Sequence, residues 1–149
     1  METLTFDKKI RVEQRTGDGQ IIQHERIYFD FIVSGQSAKT KLKADKFDVI
    51  SPFGWGNKIY EREIIKEFTG QKRPAISSGR IMIYVCSECG DIGCGCISAD
   101  IEITDDKVIW KKFGYENNDP DIDLEPYKDI QPIEFDKQQY LQKFKEIER

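Results

Sequence analysis

All four cysteines of the 149-residue chain lie between Cys86 and Cys96. Two residues separate Cys86 from Cys89, and Gly90 follows, which is the spacing of the first half of a zinc knuckle. The glycine permits the tight turn that directs both thiolates at one ion. Zinc with Zn–S bonds of about 2.3 Å needs sulfurs about 3.8 Å apart, and further glycines can fold the chain back to that distance. The sequence therefore predicts a metal site, with zinc as the candidate ion, formed by Cys86, Cys89, Cys94 and Cys96.

Two features of the same segment count against a four-thiolate site. Only four residues separate the two cysteine pairs, whereas ordinary structural sites join two knuckles a dozen or more residues apart. A zinc ion with four thiolates carries a net charge of about −2, and the sequence neighbours Glu88 and Asp91 are acidic. No lysine or arginine lies between Arg80 and Lys107. Compensation must come from backbone N–H groups or from a distant part of the fold.

Two other interpretations use the same cysteines. In a thiol-redox protein, Cys86 and Cys89 would be the dithiol, and Cys94 or Cys96 would resolve it. A reactive cysteine needs a helix N-terminus or a positive neighbour, which this glycine-rich, acidic segment does not supply in sequence. In the third interpretation the thiols are reduced and inert in a reducing compartment. The sequence leaves metal binding, redox chemistry and inert thiols open.

The elements on either side of the cysteines predict where they lie. Residues 80–86 are typical of a strand buried on both faces, and residues 94–104 alternate as a half-buried strand. Residues 107–113 predict a third strand, which completes an antiparallel three-stranded meander. The cysteine-rich connection is then a hairpin tip. We expect the sulfurs of Cys86, Cys89 and Cys94 to form one cluster there.

The remainder of the chain predicts an α+β fold in one domain spanning residues 1–149. A hairpin with its turn at residues 16–19 and a strand over residues 27–33 come first. A central helix over residues 58–68 begins after the N-cap Asn57. A C-terminal helix begins at Asp136 and packs on the sheet. Its start predicts a capping box with Gln139 and a hydrophobic staple between Phe135 and Tyr140. The predicted core contains Ile81, Ile83, Val85, Ile101, Ile103, Trp110, Leu141 and Phe144.

Three further features have two interpretations each. The single histidine, His24, is either a metal ligand or acid–base group or, as we favour, a surface histidine without a role. Trp55, between two glycines, either lines a binding surface or, as we favour, packs in the core. Residues 116–125 are rich in acidic side chains but lack the glycine and final glutamate of an EF-hand loop, so we expect a solvated loop. The side chains that suggested calcium are those of Asp119, Asp121, Asp123 and Glu125.

Charge and composition exclude several classes of protein. The net charge is −4 and the pI is about 5.2, so we expect no nucleic acid or membrane partner. One histidine cannot form a multi-histidine metal centre. The longest apolar run, residues 81–86, is far shorter than the roughly 20 residues of a membrane helix. No basic and apolar signal opens the chain, and we therefore expect a cytoplasmic protein.

Residues 84–95, Y-V-C-S-E-C-G-D-I-G-C-G, are followed at residues 108–118 by V-I-W-K-K-F-G-Y-E-N-N. The two segments resemble a family of small, uncharacterised bacterial proteins, some of which are labelled oxidoreductases. The resemblance is specific over residues 80–118 and fainter at residues 54–56. In the family pattern the first three cysteines belong to the motif and the fourth does not. The resemblance therefore implies a three-cysteine site that needs a fourth ligand from elsewhere.

The residues support no catalytic assignment, since no nucleotide loop of the G-x-G-x-x-G type follows a strand. We expect a non-catalytic module that binds another protein, by analogy with small acidic domains that neutralise toxins, with a metal stiffening the cysteine hairpin. The alternative is a thiol-dependent redox or sulfur-handling protein that uses the pair Cys86 and Cys89.

Overall fold

A computed structural model describes residues 1–117 and 122–148 of the chain. Its α-helices are α1 (Ala38–Lys41), α2 (Lys58–Phe68) and α3 (Lys137–Ile147). Its strands are β1 (Leu4–Arg11), β2 (Gln14–Arg15), β3 (Ile21–Gln23), β4 (Arg26–Val33), β5 (Gln36–Ser37), β6 (Val49–Ile50), β7 (Ile81–Cys86), β8 (Cys96–Ile103), β9 (Lys107–Glu116) and β10 (Ile133–Asp136). The mixture of helices and antiparallel sheets confirms the α+β prediction.

The strands form two main antiparallel sheets and a small hairpin. The larger sheet has the order β10-β9-β8-β7-β6, so the predicted meander is its centre. The smaller sheet has the order β1-β4-β5, and β2 pairs with β3 in the predicted N-terminal hairpin. Helix α3 packs against β1, β9 and β10, which confirms a C-terminal helix on the sheet.

An aromatic cluster joins the two sheets and the two long helices. Phe31 of β4 lies at its centre and is fully buried. Its ring centroid lies 5.4–5.9 Å from those of Phe6, Phe53, Phe68, Tyr84 and Trp110. Five predicted core residues are buried, namely Ile81, Ile83, Val85, Trp110 and Phe144. The other three, Ile101, Ile103 and Leu141, are partly buried and pack against the core.

The helix starts follow the predicted capping with one exception. The Asn57 side chain accepts the Tyr60 N–H at 3.1 Å, and Asp136 accepts the Gln139 N–H at 3.0 Å. The Phe135 and Tyr140 rings lie 5.3 Å apart, as the staple predicts. The second half of the capping box is wrong, because the Gln139 amide instead hydrogen-bonds the backbone N–H and C=O of β1. The Gln139 side chain therefore pairs with the backbone of Leu4 in β1, and this contact replaces the predicted cap at the start of α3.

The acidic segment was expected to be a solvated loop, and its first residue corrects that prediction. Glu116 belongs to β9 and is buried beside Arg80, with a Nε–Oε2 distance of 3.3 Å. Asp123 returns to form a bridge with Tyr115. Asp119 and Asp121, two of the residues considered for calcium, lie outside the described residues. The strand therefore continues by pairing with β8 beyond its predicted end at residue 113, and its last residue forms a buried ion pair.

Within residues 1–117 and 122–148, no helix is long and apolar enough to cross a bilayer.

Candidate metal centre

The cysteine-rich loop, residues 87–95, connects β7 to β8 and curls back on itself. The Gly90 N–H donates to the Cys86 carbonyl at 2.8 Å, and Gly90 has a φ of +68°, which favours glycine. The Asp91 carboxylate accepts the Gly93 N–H at 3.3 Å and caps a short 3₁₀ turn, Ile92–Cys94. These two turns bring the end of the loop back to its beginning.

Three of the four predicted ligands meet in this loop. The sulfurs of Cys86, Cys89 and Cys94 all lie within 4.8 Å of one another. The Cys89 and Cys94 sulfurs are 3.2 Å apart, and both residues are exposed, while Cys86 is half-buried. The predicted cluster of these three thiols is confirmed. Their donor chemistry suits a soft or borderline metal ion, so the three residues could hold one.

Cys96 lies apart from this group. It opens β8 opposite Glu116, is fully buried and belongs to the hydrophobic core. Burial, together with the Glu116 charge, raises the pKa of its thiol to about 12. Because Cys96 is the first residue of β8 and its side chain packs in the core, it lies apart from the other three cysteines. The structure thus brings together Cys86, Cys89 and Cys94 and leaves out Cys96.

Backbone N–H groups of the loop point at the sulfurs. Burial raises the pKa of the Cys86 thiol, but hydrogen bonds from the N–H groups of Cys89 and Glu88 outweigh this and lower it. The Asp91 N–H donates to the Cys89 sulfur at 3.4 Å. The Cys94 thiol forms hydrogen bonds with the sulfurs of Cys89 and Cys86, and these contacts raise its pKa to about 12. N–H donation to Cys86 favours its thiolate, which is the form that binds a metal.

Positive charge reaches the loop from the N-terminal sheet. The Glu88 carboxylate accepts the His24 backbone N–H at 3.1 Å, His24 Nδ1 lies 2.9 Å from it, and Arg11 Nη1 lies 3.0 Å from it. The His24 contacts, with Arg11, lower the pKa of Glu88 to about 2. Arg26 donates to the carbonyls of Ser87 and Glu88 at 3.0 and 2.8 Å. These two arginines are the distant positive charges that reach the loop, and Arg11 shares its charge between Asp48 and Glu88.

His24 and Trp55 both lie beside the loop. The His24 side chain is 58% exposed, as a surface histidine would be, but it is paired with Glu88. Trp55 is partly buried, and its ring lies under the Arg26 guanidinium at 5.1 Å. A Cβ on Gly90 would stand 3.8 Å from the same ring. Trp55 therefore lines the cysteine loop as well as the core, which corrects the prediction of a core residue alone.

Sequence reasoning missed Arg11 and Arg26. They lie on β1 and β4, about 60 to 80 residues before the loop they contact. No local periodicity marks such a pairing. The one sequence feature that points to them is the lack of lysine and arginine near the cysteines, because the site then needs positive charge from a distant part of the chain.

Comparisons of the chain with protein-family models, with curated proteins and with solved structures found no match.

Proposed function

We propose that the chain is a non-catalytic protein-binding module whose cysteine loop is fixed by one zinc ion held by Cys86, Cys89 and Cys94. The observation that carries the proposal is the convergence of three sulfurs within 4.8 Å, two of which accept backbone N–H groups of the loop. Thiolate ligands select zinc, copper(I) and iron–sulfur clusters, and zinc fits a CxxC-Gly turn. A zinc ion adds rigidity without redox chemistry.

Exposed aliphatic side chains support the protein-binding part of the proposal. Ile10 and Ile27 face each other across β1 and β4, and the neighbouring hairpin exposes further aliphatic residues. A contiguous exposed apolar patch is typical of a protein interaction site, and the cross-strand pair of Ile10 and Ile27 would be part of it. The exposed residues are Ile10, Val12, Ile21, Ile22 and Ile27.

The metal part is tested by zinc content and thermal unfolding of the reduced protein. We expect one zinc per chain and a rise in Tm on zinc addition. Cys89→Ser should lose the zinc, and, because a structural metal contributes folding free energy, it should also lose the Tm increase. Cys96→Ala is the matched control and should keep both. A wild-type chain that binds no zinc, or a Cys96→Ala variant that loses it equally, would contradict the metal site.

The binding part is tested by capture of protein partners on immobilised chain. Ile22→Glu places a charge in the exposed aliphatic cluster and should abolish capture. Ile59→Glu is the control, because Ile59 is 78% exposed on α2 and lies outside that cluster. Equal capture by the two variants would show that the hairpin is not the binding surface.

A thiol-dependent redox or sulfur-handling role is the second candidate, favoured by the 3.2 Å separation of two exposed sulfurs. In that case a mild oxidant should remove two free thiols from the metal-free protein, reversibly. Under the zinc proposal, bound zinc should protect all three loop thiols from the same oxidant.

A further inference from the structure

The three-thiol group leaves one tetrahedral position of a zinc ion without a ligand. Structural zinc is almost always four-coordinate, so a fourth donor is required. In the part of the chain that the structure describes, no fourth ligand atom belongs to the group. Other possible donors of the chain are engaged elsewhere, because Cys96 lies in the core, Glu88 is held by Arg11 and His24, and Asp91 caps the 3₁₀ turn.

The missing position is accessible from outside the protein. Cys89 and Cys94 are both exposed, whereas Cys86 is half-buried at the end of β7. A donor from another molecule can therefore approach from the side of the two exposed sulfurs.

Charge selects the type of donor. Around the loop, Arg11 pairs with the carboxylates of Asp48 and Glu88, and Arg26 donates to backbone carbonyls. With the Asp91 carboxylate, which accepts a backbone N–H, two guanidinium groups stand beside three carboxylates. A zinc ion with three thiolates adds a further net negative charge. A second anion, such as a thiolate or a carboxylate, would enter a region with an excess of negative charge. A neutral nitrogen donor avoids this repulsion, and neutral imidazole is a common zinc ligand.

Building on the proposed zinc site, we infer that its fourth position is open and binds the imidazole nitrogen of a histidine side chain on the protein partner. The metal is then part of the docking surface, and the completed Cys₃His set is a common structural zinc site. The chain's own His24 is the competing donor, since it lies close to the loop through Glu88.

The test is a ligand titration of the cobalt(II)-loaded full chain, followed by its absorption spectrum. The d–d bands report the fourth ligand, and the sulfur-to-cobalt charge-transfer band reports the number of thiolates. The probes are imidazole, a short peptide with one internal histidine, 2-mercaptoethanol and acetate. Wild type and His24→Ala are titrated side by side.

We expect imidazole and the histidine peptide to shift the d–d bands of both proteins saturably, without changing the charge-transfer intensity. Mercaptoethanol and acetate should need at least tenfold higher concentrations for an equal change. The inference is overturned if no probe changes the spectrum, if mercaptoethanol binds as tightly as imidazole, or if free imidazole binds and the peptide does not. It is also overturned if His24→Ala alone shifts the bands and imidazole restores them, because His24 is then the ligand. A chain that binds no cobalt would instead refute the zinc proposal.

Discussion

Replacing Arg11 by methionine should uncouple the cysteine loop from the N-terminal sheet. The Arg11 side chain is 7% exposed and donates to three groups at once. Its Nε lies 2.9 Å from Asp48 Oδ1, and its Nη1 lies 2.6 Å from the His24 carbonyl and 3.0 Å from Glu88 Oε1. Methionine retains most of the aliphatic packing and removes every one of these hydrogen bonds.

The magnitude follows from the exposure of the partners. Asp48 and Glu88 are 58% and 38% exposed, so water replaces much of what they lose, and each pair is worth about 0.5–1 kcal/mol. The bond to the His24 carbonyl adds about 1 kcal/mol. We therefore expect Arg11→Met to lower the free energy of unfolding by about 2–3 kcal/mol.

Urea denaturation of the metal-free protein measures this loss. Arg15→Met is the matched control, because Arg15 is 51% exposed and its guanidinium contacts Glu13 and the Gly19 carbonyl near the hairpin turn. The control should change the free energy of unfolding by about 0.5 kcal/mol or less. Equal stability of the two variants would refute the assignment of Arg11 as the link between the sheet and the loop.

The same variant has a signature in the titration of Asp48. The Arg11 hydrogen bond holds the pKa of Asp48 below its ordinary value. Asp48 therefore contributes stability that is present above its unfolded pKa of about 3.9 and is lost as the pH falls through the lowered native pKa. In Arg11→Met the carboxyl resonance of Asp48 should titrate at higher pH than in the wild type. An unchanged titration would show that Arg11 does not stabilise the carboxylate.

Three further variants test the fold by urea denaturation. Gly95 has a φ of +96°, and an added Cβ would overlap the hydroxyl of Tyr115. Gly95→Ala should therefore lower the free energy of unfolding by about 3 kcal/mol. An unchanged stability would contradict the loop conformation. The buried hydroxyl of Tyr140 accepts the Trp110 indole N–H at 3.1 Å and donates to the Phe68 carbonyl at 2.9 Å. Tyr140→Phe should therefore lower the free energy of unfolding by about 1–3 kcal/mol. An unchanged free energy of unfolding would show that neither hydrogen bond forms. Burial raises the pKa of Glu67, so its protonated form favours folding and wild-type stability falls as the pH rises from the unfolded pKa of about 4.3 through the raised native pKa. Glu67→Gln should remove that fall above pH 4, and an identical pH profile would refute the burial effect.

The elements that sequence reasoning predicted correctly depend on near neighbours. The start of α2 after Asn57 and the start of α3 after Asp136 each need one side chain and an N–H three residues later. The buried strand β7 needs only a short apolar run bounded by turns. The convergence of Cys86, Cys89 and Cys94 likewise follows from a hairpin with glycine at its turns.

The features that sequence reasoning missed depend on distant partners. Gln139 bonds β1 in place of its own helix, and Arg11 and Arg26 reach the loop from the other end of the chain. The burial of Cys96 depends on its pairing with Glu116, which required β9 to continue beyond its predicted end. Each of these contacts depends on tertiary pairing, which the local spacing of residues in the sequence does not indicate.

X-ray absorption of the zinc-loaded chain tests the three-thiolate centre most directly. The measurement counts the sulfur and the nitrogen or oxygen neighbours of the ion. We predict three sulfurs at about 2.3 Å and one nitrogen or oxygen at about 2.0–2.1 Å. A shell of four sulfurs would place Cys96 in the site. A shell with fewer than three sulfurs would show that Cys86, Cys89 and Cys94 do not bind one ion together. Either result would contradict the account.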